Sequence, residues 1–300
     1  MTVLDWASEQ SLTWLREHAE ELAAVLVEPV QSRAPDIQPR EFLHELRKIT
    51  EASGTTLIFD EVVTGFRVGP GGAQEHFGVQ ADLANYGKVV GGGVSIGIIA
   101  GKREYMDALD GGFWQFGDAS IPEVGVTYFA GTFVRHPIAM AAARAVLKHL
   151  IAEGPGLQQR VNRLTDEFAT RLNTFFRSEN VPVEVRHFSS VMRIVTTEPV
   201  PAAELLFCLL RERGIHTWDG RPNYFTTVHT EREIDAIIAA FKAAVAQMQE
   251  ARFYPRPTQH IDASKPPAPG ARLGRDQQGN PAWFLADPSS PGKYMKLETA

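Results

Sequence analysis

Three hundred residues are enough for about two domains with cores of their own, and 44% hydrophobic with 22% charged residues is the balance of an ordinary soluble protein. A net charge of −6, with no dense Lys/Arg block, argues against a nucleic-acid partner. The single cysteine, Cys208, excludes an intrachain disulfide and a cysteine-rich metal site and is expected in the core, since it lies in an apolar run. No apolar window is long enough to span a membrane, and MTVLDWASEQ lacks the basic and apolar regions of a signal peptide, so a cytoplasmic location is expected.

In chain order, Leu12, Leu15, Ala19 and Leu22 fall at helical spacing. Ala24-Val25-Leu26-Val27 then reads as a buried strand running into Glu28-Pro29. Pro39 opens a second helix as a first-turn proline, Leu43, Leu46 and Ile49 form its inner face, and Gly54 ends it. A second strand, Leu57-Ile58-Phe59-Asp60, follows and closes on an acid pair, Asp60-Glu61. Strand, helix, strand with short connections is a parallel α/β layer, so Glu28 and Asp60 should emerge together on its ligand-binding edge.

Lys88 comes 28 residues after Asp60, between Gly87 and a Val-Val-Gly-Gly-Gly run. An amine with apolar neighbours on both sides can be desolvated, lose its proton and become a nucleophile. With an acid at a neighbouring strand end, this suggests a pyridoxal phosphate site. Lys88 would hold the cofactor covalently, and Asp60 would partner its ring nitrogen. Taken singly, each residue has a plainer reading. Asp60 could close a strand and cap a turn, Lys88 could be a solvated lysine, and Gly91 to Gly93 could form a turn that binds nothing. A P-loop ending at Gly101-Lys102 would need glycine at Ile96 and Ser or Thr at Arg103, and fails twice. Gly93-Val94-Ser95-Ile96-Gly97 matches the nucleophile elbow of serine hydrolases. That elbow needs a strand before the serine and a helix after it, whereas glycines precede Ser95 and a short strand, Ile98 to Gly101, follows.

Beyond Gly101 lies a glycine- and aromatic-rich loop (GGFWQFGD), then Val124 to Phe129 and Ala130-Gly131-Thr132. Pro137 starts an alanine-rich helix to about Ala152, stopped by Gly154. A glycine and a hydroxyl just before a helix start are a natural phosphate contact, and Thr132 could equally be a plain helix cap. Val161, Leu164, Phe168, Leu172 and Phe175 mark a core-packing helix from Leu157 to Phe176. Strands at Val183–Val185 and Met192–Val195, a helix near Ala203–Arg213 and a last helix capped by Thr230 and Glu233 complete a smaller α/β unit. His187, His216 and His229 lack metal-ligand spacing and read as structural. From Tyr254 onward the chain holds eight of its nineteen prolines and shows no apolar period, which reads as an extended linker or tail.

The segments IFDEVVTGFR, GGAQEHFGV and GKVVGGG resemble class III aminotransferases of fold type I, nearest to the glutamate-1-semialdehyde aminotransferase-like branch. More narrowly, GDASIPEVGVTYFAGTFVRHPIAMAAARAVLKHL resembles the aminotransferase domains embedded in hybrid polyketide/nonribosomal peptide synthetases. The likeness covers roughly Ser8 to Phe253. It implies an α/β chain of the fold type I PLP-dependent transferases, with part of a large parallel-sheet domain over 1–153, a smaller α/β domain over 154–254 and a proline-rich linker over 255–300. The end of the chain, LGRDQQGNPAWFLADPSSPGKYMKLE, resembles the connector into the next synthetase module.

The resemblance also implies roles. Lys88 and Asp60 hold pyridoxal phosphate, and Val62 packs on its ring unless it is simply core. Gly131 and Thr132 reach the cofactor phosphate of the neighbouring subunit, which implies a homodimer. Glu28, and less clearly Gln31, line the substrate pocket, unless Glu28 merely ends its strand. The implied acceptor is a β-ketoacyl thioester on an acyl carrier protein, with an amino-acid donor such as glutamate or glutamine and with synthetase domains as neighbours. Family members carry a longer amino-terminal half, with a phosphate loop and a stacked aromatic ring that are not found upstream of Glu28. Another polypeptide then supplies them, or the chain is an incomplete enzyme. Three other readings stand: a free-standing transaminase or aminomutase on small molecules, a non-catalytic structural or docking segment, and a hydrolase using Ser95.

Overall fold

Ser8 accepts a hydrogen bond from the Gln10 N–H and starts α1 (Glu9–His18), whose Leu12 and Leu15 are buried. The computed structural model describes residues 1–255, 266–276, 279, 281–288, 290 and 292–297. After α1 come β1 (Ala24–Val27), α2 (Arg40–Ser53) and β2 (Thr56–Asp60). Pro39 stands just ahead of α2 rather than in its first turn, and Gly54 ends that helix at φ 76, a left-handed conformation that glycine adopts without steric cost. Next follow α3 (Gly72–Phe77), β3 (Leu83–Tyr86), a tight 3-10 turn (Lys88–Gly91), β4 (Ile98–Gly101) and α4 (Arg103–Asp110).

These strands form one sheet in the order β1-β2-β3-β4. β1, β2 and β3 run parallel, with Val27 opposite Phe59 and Asp60 opposite Asn85, while β4 returns antiparallel with Ile98 opposite Tyr86. The α/β layer read from the sequence is therefore present. The core beneath it joins Leu12 and Leu15 to Leu43, Leu46, Leu57, Phe59 and Phe77. β1 departs from expectation in its burial. It is an edge strand, and Leu26 is 62% exposed because only the face toward α1 and α2 is covered. Asp82, just before β3, ties the layers together: its carboxylate accepts from the Leu57 N–H at 2.7 Å and pairs with Arg47 at 3.0 Å and Lys102 at 2.6 Å.

The rest of the chain runs through α5 (Pro137–Glu153), α6 (Gly156–Ser178), β5 (Val183–Phe188), β6 (Val191–Thr196), α7 (Leu205–Glu212), β7 (Asn223–Tyr224) and α8 (Glu231–Glu250). β5, β6 and β7 make an antiparallel sheet packed on α6 and α8. Its core centres on Phe168, Phe176 and Phe241, whose full burial stabilises by about 1.5–3 kcal/mol each. Thr230 and Glu233 form the expected capping box of α8. Phe188 and Val191 reach back from the β5–β6 turn into the first core, so this turn is where the two clusters meet.

Two expectations fail here. Cys208 is exposed: the inner face of α7 is Leu206, Phe207 and Leu210, and Cys208 falls on the opposite side despite its apolar run. Part of the tail is folded. β8 (Arg272–Arg275), β9 (Pro281–Ala286) and β10 (Tyr294–Lys296) form an antiparallel meander that buries Ala282 and Trp283. Its prolines disguised it, yet Pro281 opens a strand and Pro288 lies in a turn, where the missing N–H does no harm. Residues 256–265 of the expected linker lie outside the described residues. Among the described residues no helix is long and apolar enough to cross a membrane, and no His/Cys/Asp/Glu group could hold a metal ion.

Candidate active site

Because β1, β2 and β3 run the same way, their carboxyl ends open on one edge of the sheet. Glu28 follows β1 directly, Asp60 closes β2, and Lys88 comes two residues after Tyr86 closes β3. Asp60 is half-buried, and its Oδ1 accepts the Val62 N–H at 3.1 Å. Val62 faces the exit of β3: a Cβ on Gly87 would lie 3.4 Å from Val62 Cγ1 and 3.2 Å from the Ile96 carbonyl oxygen. Glycine before the lysine thus lets the chain pass close to Val62. Asp60, Val62 and Lys88 are brought together by this pair of strand ends.

Lys88 opens the 3-10 turn at φ 45, an uncommon conformation for a residue with a side chain. α5 rests on the same turn, and a Cβ on Gly92 would come 2.7 Å from Val146 Cγ2. The expected desolvation of Lys88 is not seen, since its side chain is exposed. Neighbours in sequence diverge on a tight turn: Val90 points into the core at 0% exposure, and Val89 is only half-buried. Sequence apolarity on both sides therefore does not wall in the amine.

The acid pair divides its labour, because adjacent residues at a strand end point to opposite sides. Asp60 faces the edge. Glu61 is completely buried and accepts from Thr64 Oγ1 at 3.0 Å, the Ala73 N–H at 2.6 Å and the Gln74 N–H at 3.3 Å. It anchors the start of α3, and Gly72 leaves no room there for a side chain, since a Cβ would collide with Glu61 Oε2. This structural role was not read from the sequence.

Arg67 was also missed. Its Nε donates to the Val63 carbonyl at 3.0 Å, its Nη1 to Ser190 Oγ at 3.1 Å, and its guanidinium lies 4.4 Å from the Tyr224 ring centre. Burial pulls the Arg67 guanidinium below its ordinary pKa. Burial pushes the Tyr224 phenol up, with Arg67 opposing and Glu28 adding to the shift. Glu28 is half-buried, accepts from the Ser32 N–H at 3.4 Å, and its carbonyl takes the Trp6 indole N–H at 2.9 Å. Gln31 is half-buried, and its carbonyl closes a turn with the Ala34 N–H.

Gly131 and Thr132 do not stand directly at a helix start. They lie exposed in a turn closed by the Val134 N–H on the Gly131 carbonyl, and His136 separates this turn from Pro137, the first residue of α5. Ser95 is exposed between the 3-10 turn and β4, so neither the strand nor the helix of a nucleophile elbow flanks it.

The family described as aminotransferase class-III matches residues 5–245. The chain belongs to that family. It is similar to a glutamate-1-semialdehyde 2,1-aminomutase of Alkaliphilus oremlandii, 32% identical over 251 residues, covering 78% of this chain and 54% of the relative. A second aminomutase, from Acetivibrio thermocellus, is 45% identical over 144 residues, 48% of this chain and 31% of its own length. Among solved structures, a transaminase with PLP bound shares 30% identity at a TM-score of 0.68, covering 81% of this chain and 56% of that one. A β-phenylalanine aminotransferase from Variovorax paradoxus shares 26% identity at a TM-score of 0.72, covering 85% and 59%. The chain spans about half the length of the curated relatives it matches, as the 54% share of the Alkaliphilus protein illustrates.

The fold is that of the type I aminotransferases, and pyridoxal phosphate is the cofactor of this class. The class-III chain's own residues fit that group. An accessible amine stands on one strand exit, and a carboxylate stands at the end of the next strand with only Oδ1 engaged by the backbone. Asp60 could hold a protonated ring nitrogen, Lys88 the aldehyde carbon, and Val62 the face of the ring between them.

Proposed function

We propose that this protein transfers amino groups with pyridoxal phosphate, from an amino-acid donor to a β-ketoacyl thioester carried on an acyl carrier protein. The observation that carries the reading is the shared sheet edge: Asp60 ends β2 and Lys88 follows the end of the adjacent parallel strand β3, with Val62 against the glycine that precedes the lysine. When bound, the cofactor supplies an electron sink for the carbon that gains or loses the amino group. Lys88 holds the cofactor through its amine and, once released, moves a proton on and off that carbon. Asp60 keeps the proton on the ring nitrogen. Glu28 and Gln31 border the substrate side. Gly131 and Thr132 reach the phosphate of a second copy, and the exposed Phe113, Phe116, Tyr128 and Phe133 on the same stretch support a homodimer that covers it. We divide the chain at 1–153, 154–254 and 255–300.

The carrier-bound acceptor rests on the resemblance of the segment from Gly117 to Leu150 to synthetase-embedded aminotransferases. The aminomutase relatives favour a second reading, a free-standing enzyme acting on small molecules. Amino transfer to a carrier-tethered β-ketoacyl chain, compared with the same acid free in solution, separates the two. Borohydride reduction of the cofactor-loaded protein followed by peptide mapping should place the pyridoxyl label on Lys88. Lys88→Ala should abolish both label and transfer. Label on Lys102 would overturn the assignment.

A further inference from the structure

We infer that Tyr86 is a positioning residue for Lys88: its ring, seated against the β2–α3 connection, fixes how β3 leaves the sheet and so where the amine stands relative to Asp60. The inference rests on the transamination reading above. Lys88 makes no hydrogen bond or ion pair through its side chain among the described residues, so the backbone alone directs it. Gly87, the one residue between, has no side chain to anchor that step. The last side chain before the amine is therefore Tyr86, the terminal residue of β3. Its neighbours belong to the segment that follows Asp60. A Cβ on Gly65 would come 2.5 Å from Tyr86 Cδ1 and 2.7 Å from the Glu61 carbonyl oxygen, so the ring lies against bare backbone. The Phe66 ring centre is 5.3 Å from that of Tyr86, and Phe66 is itself held at φ 59, an uncommon conformation for a residue with a side chain. The Tyr86 hydroxyl accepts from Gln74 Nε2 at 3.1 Å, and Gln74 Oε1 accepts the Ala81 N–H at 3.0 Å, which ties the far end of the ring to α3.

The backbone joins the same two strand exits, because the Glu61 N–H donates to the Asn85 carbonyl at 3.0 Å. Beyond Lys88 the chain is held again by Val90, which is fully buried. Lys88 thus has an anchor on each side, Tyr86 before it and Val90 after it. Such a mount matters for a group that must form a bond, since a misplacement of about 1 Å can cost about 100-fold. Packing alone would give Tyr86 a share in stability. It would not distinguish a cofactor that reacts with Lys88 from one that cannot.

The test makes that distinction on the full chain. Lys88 Nζ forms a C=N bond with the aldehyde carbon of pyridoxal phosphate, and two amine hydrogens leave with the aldehyde oxygen as water. Added borohydride then reduces this bond to a stable label. Deoxypyridoxine phosphate, which carries a methyl group in place of the aldehyde, competes without reacting. Tyr86→Leu should raise the pyridoxal phosphate concentration for half-maximal label on Lys88 by about 10- to 100-fold and leave the inhibition constant of the competitor unchanged. Tyr86→Phe, which keeps the ring, should label close to the wild type. A folded Tyr86→Leu protein that labels as the wild type does, or that weakens both compounds alike, would overturn the inference. So would a Tyr86→Phe protein as impaired as Tyr86→Leu, because the ring would then not be the anchor. Should Tyr86→Leu fail to fold, Phe66→Leu, which loosens the same contact from the other side, is held to the same criterion. The split between the two compounds in a protein that transfers no amino group would sink the transamination reading and leave the positioning role standing. Wild-type protein that takes no label on Lys88 would sink both.

Discussion

Replacing Glu61 and Asp60 in turn by their amides should separate two neighbouring carboxylates with unrelated duties. Glu61 accepts three hydrogen bonds from inside the protein, from Thr64, Ala73 and Gln74. In Glu61→Gln the best rotamer keeps the oxygen on Thr64 and Ala73 and turns its NH2 against the Gln74 N–H. Two charge-assisted bonds become neutral, at about 1 kcal/mol each, and one buried donor loses its acceptor, at about 1–2 kcal/mol. The sum is about 3–4 kcal/mol, which lowers the midpoint of thermal unfolding by about 6–16 °C for a domain of this size. Asp60 is half-buried and makes one backbone bond through Oδ1, which an asparagine oxygen can keep. Asp60→Asn should therefore shift the melt by only about 3 °C or less. On the proposed reading it removes the charge that would face the ring nitrogen, and loss of a bond worth about 1.5–3 kcal/mol should slow amino transfer by about 10- to 150-fold. Melts followed by circular dichroism, with single-turnover transfer on the same samples, read both effects. A Glu61→Gln protein that melts like the wild type, or an Asp60→Asn protein that transfers at the wild-type rate, would refute the division of roles.

Two further perturbations test the frame that positions the site. Burial pushes the Asp82 carboxyl up, but hydrogen bonds from Lys102, the Leu57 N–H and Arg47 outweigh it and hold the group below its ordinary value of 3.8. Its contribution to stability is therefore complete above that value and fades as pH falls below it. Asp82→Asn should cost about 2–3 kcal/mol at neutral pH, and the gap between variant and wild-type melting points should narrow as pH falls below 3.8; a gap that does not narrow with falling pH would show that the charge is not what matters. Gly72→Ala places a methyl group against Glu61 Oε2 at a position with φ 64, so it should destabilise at least as much as Glu61→Gln, with unfolding midpoints as the check.

What could be read from the sequence was mainly what repeats along it. The inner faces of α2 and α6 follow helical spacing, and the strand ending at Asp60 follows apolar density, so the parallel layer and the edge at its carboxyl ends are legible in the sequence. Lys88 and Asp60 stand out in the sequence by their places relative to glycines and strand ends, and the fold puts them at neighbouring exits on one edge of the sheet. Burial read less well, because it depends on neighbours that are distant in sequence. Leu26 is apolar but lies on the uncovered face of an edge strand, Cys208 sits on the outer side of α7, and of the two valines that follow Lys88, Val90 turns into the core and Val89 is only half-buried. Arg67 had no local signal, since its partners Ser190 and Tyr224 lie far along the chain. A long-range hint did exist for Glu61: an acid at a strand end followed by Gly71-Gly72 at the start of a short helix is the composition of an internally capped turn.

The antiparallel return of β4 has a consequence for how such a protein can change. Tyr86 opposite Ile98 makes residues 87–97 the loop of a hairpin, with Lys88 near its first foot. The near half, Gly87 to Gly91, is pinned by Val62 and Ile96, whereas Gly93, Ser95 and Gly97 on the far half are exposed. Extra residues at Gly93 would cost closure entropy that grows only with the logarithm of loop length. An insertion between β2 and β3 faces a different constraint, because it must pass the packed start of α3 and keep two parallel strands in step. Diversification should therefore collect in the far half of the hairpin, where the chain can remodel what stands over the amine without relocating the amine itself.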